Sequence, residues 1–177
     1  MGVDVATPSR FDGIEVVVAR PDRPDFPSFY EENYGSVARA LGATLRDPDL
    51  ASEAADEGMA RAYANWGKVE RYDNPAGWVY RVGLNWAISA QRRRSRTAKY
   101  RAETVIEPAH PMEPGLYQAL GKLDSKLRSV VVCRYLLDWT TEQTAEALAI
   151  RRGTVKSRLH RALEQLAKQL SHLKDPA

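Results

Sequence analysis

The sequence predicts an all-α chain: two small helical domains joined by a flexible Pro-rich linker, the second a helix-turn-helix domain. Three observations carry this. Apolar residues recur at the helical period of about 3.6 through 26–96 and again through 115–172. Between them Pro108, Pro111 and Pro114 recur at intervals of three, which suits an extended tether. The stretch 140–161, TTEQTAEALAIRRGTVKSRLHR, reads as two helices around a tight turn, with the cations on the second.

The elements follow in order. Residues 1–25 hold Pro8, Pro21, Pro24 and one short apolar run, Ile14 to Val18, and are expected to be a flexible extension, since a lone strand would have nothing to pair with. Phe29, Tyr30, Tyr34, Val37, Ala38, Leu41 and Leu45 make the inner face of a first helix, ended at Asp47-Pro48. Leu50, Ala54, Ala55, Met59, Ala62, Tyr63 and Trp66 mark a second, with Asp49 as its expected cap and Glu53, Asp56 and Glu57 on or near its outside. Residues 67–74 read as a polar loop. Pro75 opens a third helix, with Trp78, Val79, Val82, Trp86 and Ile88 on its apolar side and a basic end. The linker spans 97–114.

Beyond it, Leu116, Leu120, Leu123 and Leu127 resume the pattern, and Asp124 or Ser125 can cap a helix carrying Val130, Val131, Arg134, Tyr135 and Leu136. Thr140 and Gln143 have capping-box spacing ahead of the next helix. In the last helix Val155, Leu159, Ala162, Leu163, Leu166 and Leu170 form one apolar stripe that must face a core. Residues 173–177 are a tail.

Charge narrows the function. The 177 residues are 44% hydrophobic, enough for real cores, and the net charge is only +3. That small sum conceals an asymmetry: Arg92, Arg93, Arg94, Arg96, Lys99 and Arg101 lie together without an acid, whereas acids gather between Glu31 and Glu57. Separate acidic and basic surfaces suit a protein partner and a nucleic-acid partner. The outer face of the last helix offers Arg151, Arg152, Thr154, Lys156, Ser157, Arg158 and Arg161, with no carboxylate before Glu164. Guanidinium forks pair with guanine edges and phosphates, so this face suits a DNA major groove better than a merely solvated one.

Cys133 is the only cysteine and sits in an apolar run, so it reads as a small buried hydrophobe. No apolar run reaches membrane-spanning length, and the amino terminus lacks signal-peptide regions, so a cytoplasmic protein without membrane insertion is expected. There is no Gly-rich phosphate loop, no metal-ligand cluster and no nucleophile with a histidine: His110, His160 and His172 fall in the linker, on a basic helix and near the tail. No enzyme activity, catalytic residue, cofactor or metal is expected.

These segments together resemble the sigma-70-type factors of bacteria. GTVKSRLHRA after EQTAEALAI resembles their fourth domain, which reads the −35 promoter element. ASEAADEGMARAYANW is similar to the second-domain helix that docks on the clamp of RNA polymerase, and NPAGWVYRVGLNWAISAQRRRSR to the adjoining helix that opens and reads the −10 element. Two such domains on a short linker match the extracytoplasmic-function (ECF) group.

The resemblance implies a promoter-specificity factor that binds core RNA polymerase at clamp and flap. Polymerase docking falls to Glu53, Asp56 and Glu57, where Glu53 replaces the usual Asp and Asp56 the usual Gln. The −10 element falls to Lys68, Arg71, Tyr72, Asn74, Arg81 and Asn85, with Arg92, Arg93, Arg94 and Arg96 on phosphates. The −35 element falls to Arg151, Arg152, Thr154, Lys156, Ser157, Arg158 and Arg161. Ser89 stands at a usual Asp, and Ala149 at a usual turn Gly, a substitution that is unfavourable if the site needs positive φ. An anti-sigma protein is a further candidate partner. The rival reading is a stand-alone helix-turn-helix regulator independent of polymerase, which would need a dimer surface and palindromic sites.

Overall fold

The computed structural model describes residues 24–97 and 114–174. The expected amino-terminal extension, the linker and the tail fall largely on 1–23, 98–113 and 175–177, outside the described residues. All regular structure among the described residues is helical.

Caps set the helix starts. In α1, Phe26–Leu45, Asp25 accepts from Ser28 N at 2.9 Å. Helix α2 spans Pro48–Ala64; its cap is Asp47, which accepts from Leu50 N at 3.0 Å, rather than the expected Asp49. Pro48 takes the first helical position, where its missing N–H is harmless, and so fixes the cap one residue before it. The expected loop 67–74 opens with a helical turn instead: α3, Trp66–Val69, which buries Val69. Asn74 then caps α4, Pro75–Thr97, its Oδ1 accepting from Gly77 N at 2.8 Å.

Helices α2 and α4 approach to backbone contact. A Cβ on Gly83 would lie 2.5 Å from the Ala54 carbonyl oxygen, and one on Gly58 2.8 Å from that of Val79. Around this crossing Leu41, Leu50, Ala54, Ala55, Val79 and Ala87 are fully buried. Tyr80, not anticipated as core, is buried with them, its hydroxyl hydrogen-bonded to Thr44 Oγ1 at 2.8 Å. Tyr63, expected on an inner face, is 68% exposed and instead packs outside, its ring tilted against that of Phe26 at 5.0 Å.

The second domain comprises α5 (Pro114–Lys122), α6 (Ser125–Val131) capped by Asp124, a π turn (Val132–Leu136), α7 (Thr141–Leu148) and α8 (Arg152–Lys174). The Thr140–Gln143 capping box is complete in both directions. Ala149 ends α7 at φ 52°, the left-handed region, so the turn does place a Cβ where glycine is favoured. Val155, Ala162 and Leu166 face inward, but Leu163 is 39% exposed. Leu163 instead lies along an apolar groove of about 470 Å³, with Leu116, Leu120, Leu136, Leu166 and Leu170 among its lining.

The two domains share a core, which periodicity gave no sign of. Val132 and Cys133 of the π turn, Trp139, and Ala147 of α7 pack into the apolar cluster of α1, α2 and α4. Arg128 Nη1 donates to the Thr44 carbonyl at 3.0 Å, and the Arg46 guanidinium lies 5.2 Å from the Tyr117 ring centre.

Candidate functional site

Three surfaces gather the residues singled out above. On α2, Glu53, Asp56 and Glu57 follow at spacings of three and four, so they share one outward face. Glu53 and Asp56 are exposed and Glu57 half-buried. Each already has a partner: Glu53 pairs with Arg94 at 3.1 Å, Asp56 accepts from the Tyr34 hydroxyl at 2.9 Å, and Glu57 pairs with Arg61 at 2.6 Å. Partial burial and then the Asp56 bond raise the pKa of the Tyr34 phenol, which keeps it a donor.

The second surface is a pocket of about 130 Å³ where the loop after α3 meets α4. Tyr72, Asn74, Gly77, Trp78 and Arg81 line it from the first domain. Because the Asn74 oxygen is committed to the α4 cap, its amide nitrogen, Nδ2, is the free end, and it is buried without a hydrogen-bond partner. A buried donor left unpaired is unfavourable by about 1–3 kcal/mol, so this pocket favours a ligand with an acceptor. Trp78, expected as core, is half-buried: it packs against the core and also lines the pocket. Lys68 lies exposed on α3 and Arg71 on the loop that follows, Arg71 4.0 Å from Glu70. Asn85 is exposed one turn beyond Arg81. Arg92, Arg93 and Arg94 are exposed at the far end of α4; Arg96 is in the helix, but its side chain is outside the described residues.

The third is the face of α8. Arg151 stands just before the helix, where its carbonyl accepts from Thr154 and Val155 N, serving a start that has no side-chain cap. Arg151, Arg152, Lys156, Ser157 and Arg161 are exposed and Thr154 and Arg158 half-exposed. Arg152 pairs with Glu142 of α7 at 3.3 Å, and Ser157 donates to the Thr154 carbonyl at 3.2 Å. Such exposed pairs contribute at most about 1 kcal/mol and yield readily to phosphates.

A family model described as Sigma-70 region 2 matches residues 29–97, and one described as Sigma-70, region 4 matches residues 115–166. The chain belongs to the sigma-70 family.

Similar proteins place it in the ECF group. It is 30% identical to the RNA polymerase sigma-E factor of Streptomyces coelicolor over 161 residues, 82% of this chain and 86% of that one. It is 28% identical over 170 residues to the ECF sigma factor SigW of Bacillus subtilis, covering 84% of this chain and 89% of the relative. Among solved structures, the fold matches the sigma factor RpoE of Bartonella quintana, crystallised with the anti-sigma factor NepR. The TM-score is 0.73 at 21% identity, over 83% of this chain and 97% of that one. CnrH, in complex with the cytosolic domain of CnrY, matches at TM-score 0.56 and 19% identity, over 83% and 88% of the two chains.

As a sigma factor, the chain is a promoter-specificity factor of transcription initiation, with RNA polymerase and promoter DNA as its partners. No helix among the described residues is long and apolar enough to cross a membrane, and no group of three or more His, Cys, Asp or Glu there is placed to hold a metal.

Two parts of the sites were not foreseen. Glu146 and Ala147 of α7 also line the α4 pocket, a juxtaposition that depends on domain packing. The apolar groove left one sequence signal, Leu163, whose place on the stripe lies toward its edge.

Proposed function

We propose that this sigma factor divides its tasks among the three surfaces: polymerase docking on α2, the unpaired −10 strand at the α4 pocket, and the −35 duplex on α8. The observation that carries the reading is the pocket. It joins aromatic walls, Tyr72 and Trp78, to a buried unpaired amide donor and a guanidinium. An unstacked base needs that combination, because unstacking costs a few kcal/mol that stacking and edge hydrogen bonds must return.

Arg92, Arg93, Arg94 and Arg96 would hold phosphates on either side, raising affinity without choosing sequence. On α8 the exposed Arg151, Arg152, Lys156 and Arg161 would join Thr154, Ser157 and Arg158 in dividing base edges from phosphates. The apolar groove of the second domain suits an amphipathic helix, and the polymerase flap is its proposed occupant. The protein would act in the cytoplasm, carry no catalytic step of its own, and be held inactive by an anti-sigma protein.

The test is permanganate footprinting of promoter complexes formed with core polymerase. Reactive thymines near −10 should appear with the intact protein and fade with Asn74→Ala, while −35 protection persists. Undiminished reactivity in that variant would remove the pocket from the reading. Leu163→Asp should abolish polymerase-dependent initiation at −35-dependent promoters yet leave duplex binding by the isolated protein unchanged.

A further inference from the structure

The cations of the α8 face differ in one respect. Among the described residues, Arg151, Lys156, Arg158 and Arg161 have no carboxylate partner, whereas Arg152 Nη1 donates to Glu142 Oε1 at 3.3 Å across the turn. Glu142 sits in the first turn of α7, where the helix dipole favours an acid whichever way its side chain points. Here it points at Arg152, with its side chain 60% exposed beside a face proposed to meet phosphates. An acid in that place repels a DNA backbone, so the dipole alone does not account for its direction.

Both ends of the pair rise from fixed backbone. Glu142 lies between Thr140 and Gln143, whose two reciprocal hydrogen bonds lock the start of α7. Arg152 is the first residue of α8, and the first residues of a recognition helix are those that reach base edges. A guanidinium that holds a phosphate needs charge and reach, and gains nothing from a neighbouring acid. One that reads guanine needs its planar fork set at an angle, which a second side chain can supply. With Nη1 engaged, Nε and Nη2 remain to donate to O6 and N7 of a guanine.

We propose that Glu142 is a positioning residue for sequence selection, aiming the Arg152 fork at one guanine of the −35 element. This rests on the reading of α8 as the −35 surface. The pair does little for stability, being exposed at both ends, and its effect lies in the choice of base. Arg152 is thereby a base reader, and Glu142 lowers the affinity for duplex of any other sequence while raising the contrast between guanine and the alternatives.

The experiment uses holoenzyme assembled from core RNA polymerase and the full chain, selecting from a promoter found by run-off transcription and randomised across its −35 element. Glu142→Gln, Arg152→Lys and the double variant are compared with the wild type after circular dichroism has shown equal helicity. The expected result is that Glu142→Gln and Arg152→Lys each relax guanine preference by about tenfold, both at the same position. Retention of a fully randomised −35 library should not weaken in Glu142→Gln, because a negative charge has left the DNA face. In the double variant the preference should be no lower than with Arg152→Lys alone, since Glu142 acts only through the fork. Unchanged preference at every position in Glu142→Gln would overturn the proposal, and so would uniform weakening on all sequences. A further loss in the double variant would also overturn it, because Glu142 would then be reading a cytosine amino group itself. If the wild-type holoenzyme selects no sequence in the randomised element, the reading of α8 as the −35 surface has failed instead.

Discussion

Arg94 Nη2 of α4 lies 3.1 Å from Glu53 Oε2 of α2, so the basic end proposed for promoter phosphates and the acidic face proposed for polymerase are joined by one ion pair. Both side chains are about half exposed, 50% and 49%, which limits the pair's contribution to about 1 kcal/mol or less. Glu53→Ala should therefore leave the unfolding midpoint nearly unchanged while lowering affinity for core polymerase, measured by competition with a labelled sigma factor. Unchanged core affinity would move the docking surface elsewhere on α2.

Ala149 ends α7 at φ 52°, a conformation that disfavours any Cβ. Ala149→Gly removes that strain but adds freedom to the unfolded chain. The net expectation is a gain of about 0.5–1 kcal/mol in urea unfolding, with no change in the slope. A loss of stability would show that the surrounding turn had relaxed the strain.

At the α2–α4 crossing the expected sign is opposite. Gly83→Ala sets a methyl 2.5 Å from the Ala54 carbonyl oxygen, with backbone rather than flexible side chain in its way. Overpacking of this kind should destabilise by about 1–3 kcal/mol in the same assay. Gly67→Ala, where nothing lies within 4 Å of the added Cβ, is the control.

Arg158 and Arg93 separate reading from holding. Arg158→Ala should weaken binding to the preferred −35 duplex by about 1–3 kcal/mol and relax preference at one position. Arg93→Ala should weaken binding to all sequences alike and reduce its salt dependence. Selection from a randomised duplex library measures both, and an altered −35 preference in the Arg93 variant would refute the division of labour.

Cys133 supplies a pH signature of the shared core. Burial pushes its thiol up to about 12 from an ordinary 9.0, against a smaller opposite pull from the hydrogen bond with Tyr80. Burial, and then a charged Cys133, likewise raise the Tyr80 phenol well above its usual value. The folded thiol keeps its proton where the unfolded one loses it. The associated stability is therefore complete below about pH 9 and declines as pH rises toward 12. Cys133→Ala should show a shallower decline between pH 9 and 11 by chemical denaturation; an equal slope would mean that the thiol is hydrated in the folded protein.

Much of the fold was legible because local chemistry decides it. The Thr140–Gln143 box, the Asp124 cap and the strained turn at Ala149 are all properties of a few adjacent residues, as are most of the inward faces of α1 and α8, from which Tyr30, expected inside but 38% exposed, and Leu163 depart. The exposure of the acidic run on α2 and of the basic runs on α4 and α8 was legible for a similar reason, since charged side chains are rarely buried. What escaped was set by distant contacts. Tyr80 is buried because Thr44 and Trp139 meet it from other elements, and Trp139 does so edge-on at 5.7 Å. Asn74 looked like a free base reader, yet half its side chain is committed to the α4 cap. Tyr63 lies outside, near the end of α2, where its ring meets that of Phe26 at a tilt.

The most direct test is run-off transcription with core RNA polymerase, with and without this protein, on fragments of the source genome. The account predicts transcripts from discrete promoters that appear only with the protein and share a −35 and a −10 sequence. A protein that binds DNA but neither joins core polymerase nor starts transcripts would contradict it and favour a regulator working without polymerase.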